Sequence, residues 1–195
     1  MRIQLRCRCG KLQGEVDAAR VAARAVCYCK DCQAFARFLK AEEAVLDASG
    51  GTEVEAALPA AVRFTGGLEH LACMSLSPKG IYRWYASCCN TPVGNTPRNP
   101  GMPYVGLVRA CLDAAPETLD RQLGRSHITA NRGSACGPTS ATPFATLLGV
   151  AKIGGALVKA RLSGSYRDNP FFDADGAPLR TPRILTKEER AAVTP

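Results

Sequence analysis

The chain has 195 residues and a formal net charge of +8, with 46% apolar and 22% charged residues. That balance excludes an acidic or disordered polar chain, and the length suits one main domain with an appended segment. Ten cysteines and only two histidines turn the question of function toward sulfur chemistry.

Met1 to Leu5 carries no basic, apolar and small-residue leader but runs straight into Cys7, so no secretory signal is expected. The chain is therefore expected in a reducing, cytoplasmic compartment, where clustered thiols are metal ligands rather than disulfides. Arg2 to Leu5 and Lys11 to Val16 read as two short strands, with Cys7-Arg-Cys9-Gly10 at the tip of their hairpin and the glycine permitting a tight metal knuckle.

Cys27-Tyr-Cys29-Lys-Asp-Cys32 follows and sets three soft donors within one short segment. Zinc takes four ligands, so three corners are filled and one is left. It is either open to a reactant or closed by Cys73, Cys111, Cys136, His70 or His127, and spacing alone favours neither. Asp31 to Lys40 has the composition of a short helix with Phe35, Phe38 and Leu39 facing inward.

Residues 44–110 read as strands divided by Gly50-Gly51, Gly66-Gly67, Pro78-Lys79-Gly80 and the Asn/Pro/Gly-rich stretch 94–103. The pattern predicts a mainly antiparallel β domain. Gly80 to Tyr85 is expected as a central strand that delivers the chain to Cys88-Cys89. Cys7 and Cys9 supply only two donors, and Cys88-Cys89 is the candidate second pair. Adjacent strand residues point to opposite faces, so both bind one ion only if the chain turns after them. Otherwise one binds and the other is simply buried.

Pro116 opens a short helix to Leu123, residues 124–140 read as a loop, and Pro143 to Leu162 as a helix that packs an apolar face on the sheet. Dimer contact or a membrane surface are the other uses of such a helix. Its apolar run, Phe144 to Val158, contains Lys152 and falls short of the ~18–20 residues of a membrane span, so a soluble protein without membrane contact is expected. The turn-rich tail from Asn169 is expected on the surface. The domain division is residues 1–112, a zinc-binding β domain, and 113–195, a helix and tail packed on it.

Basic residues are divided between the two ends, with nine in residues 1–40 and eleven in 121–195, and no long like-charged run stands out. Seven thiolates on two zinc ions would lower the net charge to about +5. A nucleic-acid partner is not expected.

Taken together, Cys7, Cys9 and Gly10, then Cys27, Cys29 and Cys32, then Arg83, Tyr85, Cys89, Thr91 and Pro92 resemble the glutathione-dependent formaldehyde-activating enzymes, a family that includes centromere protein V. The resemblance spans roughly residues 5–95. It implies a β-tent of antiparallel sheets, a catalytic zinc on Cys27, Cys29 and Cys32, a structural zinc on Cys7, Cys9 and Cys89, and a small thiol such as glutathione as partner. It departs where the family has Cys-X-X-Cys-Gly, since this chain has Ser87-Cys88-Cys89-Asn90, and where a glycine would follow Cys32. The function expected is carbon–sulfur lyase chemistry on a small thiol–aldehyde adduct. The alternative is a non-catalytic zinc scaffold for a protein or nucleic acid.

Overall fold

The computed structural model describes residues 1–195. Strands β1 (Arg2–Arg6) and β2 (Gln13–Asp17) form the expected hairpin, followed by β3 (Val21–Cys27), α1 (Lys30–Phe38) and the one-turn α2 (Glu42–Val45). A run of six strands comes next: β4 (Thr52–Ala57), β5 (Val62–Gly66), β6 (Leu71–Ser75), β7 (Tyr82–Ala86), β8 (Thr91–Thr96) and β9 (Val105–Val108). The C-terminal part holds α3 (Pro116–Leu123), β10 (His127–Ala130), α4 (Pro143–Leu162), β11 (Arg183–Ile184) and α5 (Lys187–Val193).

The protein is mainly β with peripheral helices. Three strands form one sheet in the order β1-β2-β5, and eight form the other in the order β10-β3-β4-β9-β8-β7-β6-β11. All pairings are antiparallel except β10 on β3 and β11 on β6. Strand β7 is interior, flanked by β6 and β8, and its Trp84 is fully buried with Nε1 donating to Thr96 Oγ1 at 3.0 Å. A buried indole needs that partner, because an unpaired N–H away from water is costly.

Three expectations are corrected. Residues 127–130 are not loop: they add a parallel strand to β3, a non-local pairing that a four-residue segment with one large apolar side chain, Ile128, does not announce. The tail is not merely superficial, since Phe171 and Phe172 are buried against Trp84, with the Phe171 and Trp84 ring centroids 5.2 Å apart. A fully buried aromatic pair contributes on the scale of core residues.

The third correction concerns α4. Its 20 residues are long and apolar enough to cross a membrane by length and composition, because the helix runs past both ends of the apolar stretch Phe144 to Val158. It lies against β3 and β10, yet only Gly149 and Ala160 are buried on it.

Candidate metal centres

Gly10, at φ +76°, closes the turn after β1, and its N–H donates to the Cys7 carbonyl at 2.8 Å. That turn points Cys7 and Cys9 to one side, where their sulfurs lie 3.6 Å apart. On the opposite side of the site, Asn90 has φ +55° and the Cys89 N–H donates to Ala86 O, so the chain bends tightly between β7 and β8. The bend removes the strand alternation that would part adjacent side chains. Both sulfurs therefore converge: Cys88 Sγ is 3.7 Å from Cys7 Sγ and 3.2 Å from Cys9 Sγ, and 3.8 Å from Cys89 Sγ.

Four sulfurs around one ion at a Zn–S length near 2.3 Å would sit about 3.8 Å apart at tetrahedral angles. The observed spacings of 3.2 to 3.8 Å fit that shell closely. Neighbouring atoms brace it. Arg8 donates its backbone N–H to Thr91 Oγ1 at 3.0 Å and Nη2 to Cys89 O at 2.8 Å, tying the hairpin tip to the β7–β8 turn across more than eighty residues.

The second cluster forms where β3 meets α1. Cys27 ends the strand, Cys29 caps the helix by accepting from Cys32 N at 3.3 Å, and Cys32 lies in the first turn. The positive end of a helix and its free N–H groups favour thiolate there. All three sulfurs lie within 4.8 Å of one another, and no fourth Cys, His, Asp or Glu joins them. Cys73 and Cys111 are buried elsewhere, where burial pushes each thiol up to about 12, which is the behaviour of neutral core residues. His70 and His127 belong to neither cluster.

The thiol acidities in each cluster are split. Hydrogen bonds from Cys29 and Cys32 hold Cys27 far below the ordinary thiol range, while the same bonds to Cys27 push Cys29 and Cys32 upward. In the four-sulfur group, burial and then the bonds to Cys9 and Cys7 raise Cys88, whereas Cys89 falls to about 6: burial opposes the drop, but the Thr91 hydroxyl and the Cys9 backbone outweigh it. In each cluster one sulfur is favoured as thiolate and a neighbour is disfavoured. Replacing thiol protons by a dication is the chemistry such a donor set is suited to.

Further side chains surround the three-sulfur group. Asn131 donates Nδ2 to Cys27 Sγ at 3.3 Å. Gln33, almost fully buried, donates Nε2 to Tyr28 O and to Ser134 O, both at 2.9 Å, and so pins the loop that carries Asn131. Cys136, exposed on the same loop, lies 3.4 Å from Gln33 Oε1 and is not part of the sulfur group. Arg83, buried over the Phe35 ring, brings Nη1 to 4.0 Å from Cys32 Sγ. Arg83 had a signal in the Arg-X-aromatic strand, and Cys136 was a candidate fourth donor that the structure keeps out of the sulfur group; Gln33 and Asn131 had none, because long-range folding brings their side-chain amides to the site.

A family model described as a family of unknown function, DUF6151, matches residues 1–181, and the chain belongs to that family. A crystal structure of a Rhodobacter sphaeroides protein is similar over 60% of this chain and 94% of that one, with 20% identity and a TM-score of 0.43. No curated protein matches.

Proposed function

We propose that this DUF6151 member is a zinc-dependent enzyme of carbon–sulfur lyase type, with a structural zinc on Cys7, Cys9, Cys88 and Cys89 and a reactive one on Cys27, Cys29 and Cys32. The observation that carries the reading is the unequal donor count: four sulfurs in one group and three in the other. A four-donor shell is closed, whereas a three-donor shell keeps a corner for a reactant. The resemblance of the cysteine motifs to the formaldehyde-activating enzymes points to the same division.

Zinc on the three cysteines would supply a Lewis-acidic position that holds a small thiol as thiolate. The rest of the chemistry falls to the chain. Arg83 offsets the negative charge beside Cys32, and the Asn131 amide does so beside Cys27, so an anionic sulfur entering there meets a weaker repulsion. Gln33 keeps the loop in register. In the reaction proposed, the thiol sulfur adds to the carbonyl carbon of a small aldehyde, the C=O π bond opens, and its oxygen takes the proton that the thiol gave up. The reverse step breaks the same carbon–sulfur bond.

Metal analysis with a turnover assay tests this. Protein purified without added metal is expected to hold about two zinc ions per chain, and to speed formation of the glutathione–formaldehyde adduct. Cys29→Ser is expected to stay folded, keep about one zinc and lose turnover. Two zincs without turnover, and a zinc absorption edge that glutathione does not alter, would instead favour a non-catalytic scaffold.

A further inference from the structure

Helix α4 leaves an apolar face with nothing on it. Phe144, Leu147, Leu148, Val158 and Leu162 are between 47% and 84% exposed. A contiguous exposed apolar surface of that kind marks an interaction site.

The glycines separate what the chain's own packing requires from what it does not. At Gly149 a methyl group would collide with Ile128 at 2.7 Å, so that glycine is demanded by the sheet beneath. At Gly154 and Gly155 nothing lies within 4 Å. Each costs about 1 kcal/mol in a helix relative to alanine and gains nothing from its own fold. Glycine on an outer helix face is useful where another backbone comes close, as it lets helix axes approach.

The pattern is also self-complementary. About Ile153, Phe144 mirrors Leu162, Leu148 mirrors Val158 and Ala151 mirrors Gly155, and at 100° per residue the six share a strip about 80° wide. Two copies of α4 crossing antiparallel about a two-fold axis would set Phe144 on the partner's Leu162 and Leu148 on the partner's Val158. The small pair Ala151 and Gly155 would lie at the crossing. A closed two-fold interface requires this kind of self-matching surface. The four large side chains of the strip, Phe144, Leu148, Val158 and Leu162, would bury roughly 500 Å² per copy, or about 1,000 Å² for the pair, which just reaches the ~1,000 Å² of a specific interface. Lys152 and Lys159, both exposed, border the strip with their ammonium groups free to reach solvent.

We propose that α4 is a homodimer seam, occupied by the same helix of a second copy in antiparallel orientation. A bilayer would use the large side chains but has no use for the small pair Ala151 and Gly155 at the crossing, which is why a second copy is the better occupant.

Sedimentation equilibrium of the full, zinc-containing chain at micromolar concentration tests the seam. The natural protein is expected at twice the chain mass. Leu148→Glu and Gly155→Lys are each expected to weaken association by at least about a hundredfold, as a charge buried at an interface does, with circular dichroism and zinc content unchanged. Mixing Ala151→Glu protein with Gly155→Lys protein is expected to restore a dimer, because the antiparallel pairing sets those two positions against each other. A monomeric natural protein would overturn the proposal, as would dimers that survive both single variants. So would a monomer that cosediments with phosphatidylserine vesicles, which would assign the face to a bilayer.

Discussion

Asn131 donates its side-chain amide to Cys27 Sγ at 3.3 Å across 104 residues of sequence, from a left-handed backbone at φ +57°. The residue thus meets two demands: a conformation that asparagine tolerates and a donor aimed at sulfur. Asn131→Gly keeps the backbone and deletes the donor. Loss of such a supporting bond typically costs 10–100-fold in metal affinity, so chelator-driven release from the three-cysteine site is expected to quicken by at least about tenfold. Release from the four-cysteine site is expected to stay unchanged, and biphasic release kinetics with a chromophoric chelator would resolve the two.

Cys7→Ser and Cys9→Ser are expected to destabilise the protein more than Cys29→Ser. The four-sulfur group joins the β1–β2 hairpin to the β7–β8 turn, so a metal held there would close a loop of about eighty residues. The three-sulfur group spans six positions already held by a strand end and a helix cap. Constraining the long loop restricts the unfolded chain far more. Cys88→Ser and Cys89→Ser should match Cys7→Ser, because both sulfurs sit in the shell. Thermal denaturation decides it, and a Cys88→Ser protein with full stability and both metals would remove Cys88 from the site.

Much of this arrangement was legible in the residues. The cysteine spacings, Gly10 and the run of strands follow local rules, and local rules located both clusters. The convergence of Cys88 and Cys89 was left open because it depends on Asn90 taking a positive φ, a choice that asparagine permits but does not dictate. Strand β10 and the seating of Phe171 were missed because both are long-range, pairing residues about a hundred positions apart in the chain. Asn131 and Gln33 enter the site through those same long-range placements. A polar loop residue carries no mark of the sulfur it will meet.

The buried tail makes its own prediction. Phe171 is fully buried and meets Trp84 and Phe64, with the Phe64 ring edge-on at 5.7 Å. Phe171→Ala is expected to cost about 3–5 kcal/mol, the usual penalty for emptying an aromatic core site. Truncation before Asn169 should cost at least as much. Urea denaturation checks both, and a loss below about 1 kcal/mol would mean that the tail is not part of the core.

Glu55 provides a test of sign. It lies on β4 with no exposed surface, receives Arg109 Nη1 at 3.1 Å, and leaves Oε2 without a partner. Burial raises its carboxyl to about 7, although Arg109 and Arg24 pull it down. An acid with a raised folded pKa binds its proton more tightly in the fold than in the unfolded chain. Below about pH 4 both states are protonated and the group is neutral in its effect; between there and pH 7 only the fold keeps the proton, so stability falls as pH rises. Above pH 7 the full penalty stands, on the order of 3–4 kcal/mol as an upper bound. Glu55→Gln removes the titration, and Arg109 retains Asp120 Oδ1 at 2.6 Å and Glu53 Oε2 at 3.3 Å. The variant is therefore expected to gain on the natural protein as pH rises from 5.5 to 8, ending about 1–2 kcal/mol more stable. Urea denaturation of both proteins at matched zinc cancels the acid sensitivity of the proposed metal sites. A gap that stays flat over that range, with the variant the less stable protein, would show that Glu55 is ionised throughout and that its pair with Arg109 stabilises the fold.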